Sequence, residues 1–278
     1  MTGETESLDA LLASAEEAAR LGGAVLRDVY DRARTISYKG GIDLVTDADK
    51  ASEAVVLGFL RSRYPGHALL AEESGASGSG GHRWLVDPLD GTTNYAHRLP
   101  HFCVSVAVEG PHGLLAGAVY DPLKDELFSA ARGRGATCNG VPLRVSEAAD
   151  LRRALLCTGF PYNVHEHPEG PMGLLQRFIG KAQGIRRMGS AALELAYVAM
   201  GRFDGYFEFG LKPWDIAAGA LLVLEAGGLC RRIDGAPLDL AVGDVLACAP
   251  GLEGSLVREC RTFLTELGYR PTPGGPRR

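Results

Sequence analysis

Residues 83–94 read Arg-Trp-Leu-Val-Asp-Pro-Leu-Asp-Gly-Thr-Thr-Asn. A short apolar run at Arg83–Val86 predicts a strand, and it ends in two carboxylates followed by glycine and two hydroxyls. Asp87 and Asp90 stand three residues apart across a proline-fixed turn, so both can aim at one point. Two anionic groups that close repel unless a cation lies between them, and hard oxygen ligands suit Mg²⁺ or Mn²⁺. Gly91-Thr92-Thr93 would then open a helix or turn whose N–H groups and hydroxyls can cradle a phosphate. An aspartate in such a spacing can also do no more than cap a turn, and this stretch alone leaves both readings open.

On the amino-terminal side, Ala68–Ala71 predicts another short strand, leading to Glu72-Glu73. The composition of Ser74–Arg83 (SGASGSGGHR) predicts a flexible loop. Asp49–Arg63 reads as a helix with Ala54, Val55, Leu57, Phe59 and Leu60 as its apolar residues, closed by Tyr64-Pro65-Gly66. Earlier still, a turn at Lys39-Gly40-Gly41 follows a long amphipathic helix over Ser7–Arg34, with Ser7 as its cap. On the carboxyl side, Phe102–Glu109 and Leu114–Tyr120 should pair across Gly110–Gly113, and Glu126–Ala130 and Ala136–Cys138 extend that sheet.

Beyond about Ser146 strands and helices alternate. Strands are expected at Ala154–Thr158, Ile185–Arg187, Phe203–Phe207, Gly228–Arg232 and Val245–Ala249, and helices at Met172–Lys181, Ala191–Met200, Ile216–Ala226 and Gly254–Leu267. A meander followed by such alternation is an α+β / α/β pattern of stacked layers, with a cleft between two subdomains. The boundaries fall at 1–145 and 146–268, with a disordered tail over 269–278.

Composition excludes several classes. In 278 residues, 46% are hydrophobic and 23% charged, enough apolar surface to order a core. A net charge of −5 and no long basic run leave no footprint for nucleic acid, which is not expected as a partner. The longest apolar stretch, around Ala217–Leu224, is far short of the ~20 residues that span a bilayer, and the opening MTGETESLDALL has no basic, then apolar, export pattern. A cytoplasmic protein without a membrane role is expected. The 6 cysteines form no CxxC pair, which predicts buried reduced thiols, no structural zinc and no functional cysteine.

The remaining acids sit at element ends: Glu72-Glu73 after a strand, Asp215 at the start of an apolar helix, and Asp43, Asp47 and Asp49 around Thr46. Three of these stretches, EES at Glu72–Ser74, DPLDGTTN at Asp87–Asn94 and WDIAAGALLVLEAGG at Trp214–Gly228, resemble the signatures of the inositol monophosphatase family. DLVTDAD at Asp43–Asp49 and GSAALELAYVAMGRFDGYFE at Gly189–Glu208 fit the same pattern in order and spacing, so the resemblance spans roughly residues 8–260.

The resemblance implies the layered αβαβα sandwich of the Mg²⁺-dependent, lithium-sensitive phosphatases. It places Glu72, Asp87 and the Leu89 carbonyl on a first metal, and Asp87, Asp90 and Asp215 on a second. Glu72 also borders a third, looser site, so two to three Mg²⁺ are implied, with Mn²⁺ a possible substitute. Glu73 matches no direct ligand. Asp49 and Thr92 match the pair that orients and deprotonates the attacking water, and Glu72 joins them as a catalytic residue; Asp47 does not align with that role. Asp43 and Thr46 are expected to be structural.

The implied substrate contacts are Asp90, Gly91, Thr92, Gly189, Ser190, Ala191, Glu208 and Asp215. The implied reaction is hydrolysis of a small polyol phosphate, foremost inositol 1-phosphate, by a homodimer. Histidinol phosphate and fructose-1,6-bisphosphate are the alternative substrates, and a partner-binding regulatory role the alternative function. His97 and His101 are read as packed or hydrogen-bonded rather than ligating, His165 and His167 as solvated, and Arg186-Arg187 as a solvated edge, with an approach to the substrate or a dimer interface as the alternatives.

Overall fold

The computed structural model describes residues 7–31, 36–38 and 44–268, of which 36–38 and 44–46 by backbone alone. The expected turn at Lys39-Gly40-Gly41, Asp43 and the tail 269–278 lie outside the described residues. In chain order the first half runs α1 (Leu8–Val29), β1 (Ile36–Tyr38), β2 (Leu44–Thr46), α2 (Asp47–Arg63), β3 (Ala68–Ala71), β4 (Gly75–Ser77), β5 (Arg83–Asp90) and α3 (Thr92–Ala96). It continues with β6 (Cys103–Gly110), β7 (Gly113–Asp121), β8 (Glu126–Ala131), β9 (Gly135–Cys138) and β10 (Val141–Pro142). The second half holds β11 (Leu155–Thr158), α4 (Glu169–Ile179), β12 (Gly184–Arg186), α5 (Ala191–Ala199), β13 (Gly205–Glu208), α6 (Pro213–Glu225), β14 (Leu229–Arg231), β15 (Val245–Cys248) and α7 (Glu253–Leu267).

An eight-stranded sheet in the order β10-β9-β8-β7-β6-β5-β3-β4 and a five-stranded sheet in the order β12-β11-β13-β15-β14 make the two β layers. On the outer face of the first, Leu11, Ala15 and Leu26 of α1 and Val56 and Leu60 of α2 bury against Trp84, Val86 and Val104. Between the sheets, α5 and α6 share one core with Leu85 and Val119 on one side and Tyr206 and Ala247 on the other. Leu174 and Phe178 of α4 join Leu256 and Cys260 of α7 over Phe207 and Leu246 on the far face. The result is the αβαβα sandwich. Helices squeezed between two sheets must be apolar all round, and every residue of α5 is buried.

Local chemistry explains the element ends. Ser7 starts α1 by accepting the Ala10 N–H on its hydroxyl at 3.1 Å. The helix stops at Val29, five residues before the expected Arg34. On α2 the buried side is Ala48, Val56, Leu57 and Leu60, whereas Ala54 and Val55 are exposed, so two of its expected apolar residues face outward.

Two expectations are corrected near the acids. Part of the expected flexible loop Ser74–Arg83 is the edge strand β4, paired with β3 through Leu69–Ser77, Leu70–Ala76 and Ala71–Gly75. The chain also does not turn at Pro88. β5 runs on to Asp90, pairing Asp87 with Ser105 and Asp90 with Cys103, with a register shift between them. A bulge accommodates a proline that cannot donate to the ladder, and it re-aims the flanking side chains.

Candidate functional site

β3 and β5 are parallel neighbours, so their carboxyl ends come out side by side and carry Glu72 and Asp87 together. Gly91, at φ 94°, then swings the chain into α3. A side chain there would meet the His101 carbonyl oxygen at 3.0 Å and that of Gly189 at 3.2 Å, so only glycine fits without strain. Asp215 reaches the same place from the first turn of α6, and its Oδ2 accepts the Lys212 N–H at 2.7 Å. Glu72, Asp87, Leu89, Asp90, Gly91, Thr92, Gly189, Ser190, Ala191, Glu208 and Asp215 all line one cleft of about 520 Å³.

Asp49 is the one expected site residue behind the wall. It is fully buried on α2. Thr92 Oγ1 stands between it and the cleft, at 3.2 Å from Asp49 Oδ1 and 3.0 Å from the Leu89 carbonyl oxygen. Asp47, two residues earlier, is exposed. Glu73 lies against α2, its N–H bonded to Glu53 Oε2 at 2.9 Å.

Crowding sets the electrostatics. Burial pushes the Asp87 carboxyl well above its usual range, and Glu72, Asp90 and Asp215 push it further. Burial raises Asp90 as well, opposed by hydrogen bonds to its Oδ2 from Ser190 Oγ and Ala192 N, both at 2.7 Å. Asp215 rises to about 7, first through burial and then through the Asp90 charge.

Among the described residues, no lysine or arginine forms an ion pair with Asp87, Asp90 or Asp215. Nor do three or more His, Cys, Asp or Glu among them converge tightly enough to hold an ion as they stand. The acids share a cleft and repel one another across it. An all-oxygen donor set whose carboxylates repel one another fits a hard divalent cation.

On the opposite wall, Glu208 accepts the Tyr206 hydroxyl on Oε2. Burial raises its carboxyl to about 8, with Glu194 adding repulsion and Tyr206 and Arg187 opposing the shift. Gly159 leaves room for it, since a Cβ at that position would collide with the Glu208 carboxylate.

Several residues on this wall are not marked by the sequence pattern. Phe160, Tyr162 and Lys212 line the cleft. Arg187 does too: it is exposed, as expected, and stands at the mouth of the cleft with its guanidinium 5.8 Å from the Phe160 ring centroid. Glu194 is fully buried on α5, and its Oε1 accepts the N–H groups of Met188 and Gly189 at 2.8 and 2.7 Å. A charged residue on a helix apolar on every side is the one signal that could have found it.

The histidines behave as packed or solvated groups. His101 is buried beside Tyr197, and burial together with Lys124 lowers its pKa to about 4. His165 and His167 are exposed as expected, and His97 is exposed too, which corrects its reading as a packed residue. All 6 cysteines are buried and free.

The sequence model of the inositol monophosphatase family matches residues 7–264. The Nus factor SuhB of Escherichia coli strain K12 is 42% identical over 260 residues, covering 92% of this chain and 97% of the relative. Among solved structures, the inositol monophosphatase of Anabaena (Nostoc) sp. PCC 7120 is 44% identical with a TM-score of 0.84, covering 92% of this chain and 96% of that one. The extragenic suppressor protein suhB of Bartonella henselae is 38% identical with a TM-score of 0.86, covering 91% and 98%. Fold, motifs and relatives agree: the chain belongs to the inositol monophosphatase family.

Proposed function

We propose that the protein is a Mg²⁺-dependent phosphomonoesterase acting on a small polyol phosphate, with inositol 1-phosphate as the first candidate. The observation that carries this reading is one cleft lined by Glu72, Asp87, Asp90 and Asp215 with the Thr92–Asp49 pair beside them. Glu72, Asp87, the Leu89 carbonyl, Asp90 and Asp215 would hold two to three Mg²⁺, or Mn²⁺, and the bound cation supplies charge neutralisation at the phosphate and a more acidic water.

The protein's own groups do the rest. Gly91 and Thr92 present backbone N–H groups where the strand turns into α3, suited to phosphate oxygens. Thr92 Oγ1, within 3.2 Å of Asp49 Oδ1, can pass a proton from an attacking water to a carboxylate sealed from solvent. Glu208, Ser190 and the Gly189–Ala191 backbone face the polyol, whose hydroxyls can pair with a carboxylate and with peptide groups. The name of the Anabaena relative, inositol monophosphatase, supports the substrate class. Histidinol phosphate and fructose-1,6-bisphosphate stay as competing substrates.

The same proposal includes lithium inhibition, a homodimer, a cytoplasmic site of action and a division of the chain at 1–145 and 146–268. Among the described residues no helix is long and apolar enough to cross a membrane.

The Nus factor name of the Escherichia coli relative favours a second reading, a partner-binding role. Absence of nucleic acid from the partners rests on charge alone, and that name does not support it. Asp90→Asn separates the two readings. A catalytic role loses phosphate release and any dependent phenotype together, whereas a partner-binding role keeps its phenotype after activity is gone.

A further inference from the structure

Met188 and Gly189 form a two-residue strap between β12 and α5, and side chains from two layers grip it from opposite sides. Both strap N–H groups donate to Glu194 Oε1, at 2.8 and 2.7 Å. Both strap carbonyls accept from Asn94 Nδ2, at 2.8 Å for Met188 and 3.3 Å for Gly189. Asn94 belongs to α3, at the end of the acid motif, and the same Nδ2 donates to the His101 carbonyl at 2.8 Å; its two hydrogens serve three carbonyls, so the longer contact to Gly189 is a shared one. Gly189 sits at φ 87°, and a Cβ there would come within 2.8 Å of the Arg187 guanidinium. The next residues leave the strap bonded to Asp90, through Ser190 Oγ and Ala192 N, each at 2.7 Å.

Glu194 has no other visible task. It is fully buried in a helix otherwise suited to apolar residues, its Oε2 has no hydrogen-bond partner, and the weak Cys157 S–H donor lies close by. Keeping an acid there costs free energy unless it fixes something.

We propose that Asn94 and Glu194 form a clamp that positions the Met188–Gly189 strap, and through it Gly189, Ser190 and Ala191, against the organic part of the substrate. Both are positioning residues, since neither need touch substrate. The inference rests on the polyol-phosphatase reading of the cleft. The clamp ties that wall to the acid motif, so the hydroxyl-recognising segment and the phosphate-recognising segment keep one relative placement.

The test compares Glu194→Ala, Asn94→Ala and Glu194→Gln in the full-length protein with Mg²⁺, on inositol 1-phosphate and on p-nitrophenyl phosphate. The second substrate shares the phosphate and lacks the polyol. Glu194→Ala and Asn94→Ala are expected to lower kcat/KM about tenfold more on inositol 1-phosphate than on p-nitrophenyl phosphate, chiefly through KM, because a small misplacement of a binding segment is enough for such a loss. Glu194→Gln keeps an oxygen acceptor and should stay within about threefold of wild type on both. A parallel loss on the two substrates would reduce the clamp to a structural support and overturn the proposal.

Amide hydrogen exchange gives a readout without catalysis. The Met188 and Gly189 amides should exchange much faster in Glu194→Ala and remain slow in Glu194→Gln, and unchanged protection in Glu194→Ala overturns the clamp. A wild-type protein inert on both phosphates would sink the phosphatase reading, and exchange would then decide on the clamp alone.

Discussion

Glu208→Gln removes a buried carboxyl of the cleft that is not among the proposed metal acids. Burial raises the Glu208 carboxyl from 4.5 to about 8, so the folded protein holds a proton there that the unfolded chain releases. Where the native state binds more protons, stability falls as pH rises. The contribution is intact below about 4.5 and is lost as pH climbs through about 8.

A shift of about 3.5 units corresponds to roughly 5 kcal/mol, with a slope near −1.4 kcal/mol per pH unit inside the window. Glu194 rises to about 8 as well, and its charge helps to raise Glu208, so the two effects overlap rather than add. Removing one acid should therefore flatten the profile by about 3–5 kcal/mol, a large share of the ~5–15 kcal/mol typical of a folded domain. Glutamine keeps the shape and can still accept the Tyr206 hydroxyl, so the packing is preserved.

The assay is urea unfolding in EDTA between about pH 5 and pH 8.5, with stability extrapolated to water at each pH. Wild type should weaken steadily with rising pH, and Glu208→Gln should weaken with a slope shallower by up to about 1.4 kcal/mol per pH unit, the remaining slope coming from the raised Asp87, Asp90, Asp215 and Glu194 carboxyls. Equal slopes for the two proteins would refute the reasoning, because the buried proton would not then reside on Glu208.

Other consequences are as direct. Thr92→Val removes the hydroxyl that bridges Asp49 and the Leu89 carbonyl, and should lower kcat by about 10²–10⁴-fold with little change in KM; a loss below tenfold in initial-rate kinetics contradicts the relay. Gly91→Ala forces a side chain into a left-handed turn 3.0 Å from the His101 carbonyl, which should destabilise by about 2 kcal/mol or more in thermal unfolding. Mg²⁺ should raise the melting temperature of wild type, by the equivalent of about 2.7 kcal/mol at a hundredfold excess over Kd, and much less in Asp215→Asn. Equal shifts in the two proteins would place the ion elsewhere.

How much the sequence revealed varied with how local the cause was. The acid motif and Asp215 were legible because glycine, proline and clustered carboxylates are informative at short range, and their places at element ends implied a shared cleft. Choosing Asp49 over Asp47 needed the family pattern, and the reason is visible only in space: Asp49 is buried against Thr92 while Asp47 faces solvent. The proline at Pro88 suggested a turn because a lone proline usually ends a strand, whereas pairing with β6 absorbs it as a bulge. β4 was hidden by a glycine- and serine-rich composition that an edge strand tolerates when its neighbour supplies the ladder. Glu194 and the contacts of Asn94 escaped for one shared reason: each depends on partners that no local spacing announces.

The central claim is that this cleft hydrolyses a phosphate monoester with a divalent cation. Its most direct test is inorganic phosphate release from inositol 1-phosphate by wild type and Asp90→Asn, each in Mg²⁺ and in EDTA, with histidinol phosphate and fructose-1,6-bisphosphate alongside. The account predicts release by wild type in Mg²⁺ alone, strongest on one of these substrates, and none from Asp90→Asn. Release that persists in EDTA or in Asp90→Asn, or no release from any of the three by Mg²⁺-loaded wild type, would contradict it.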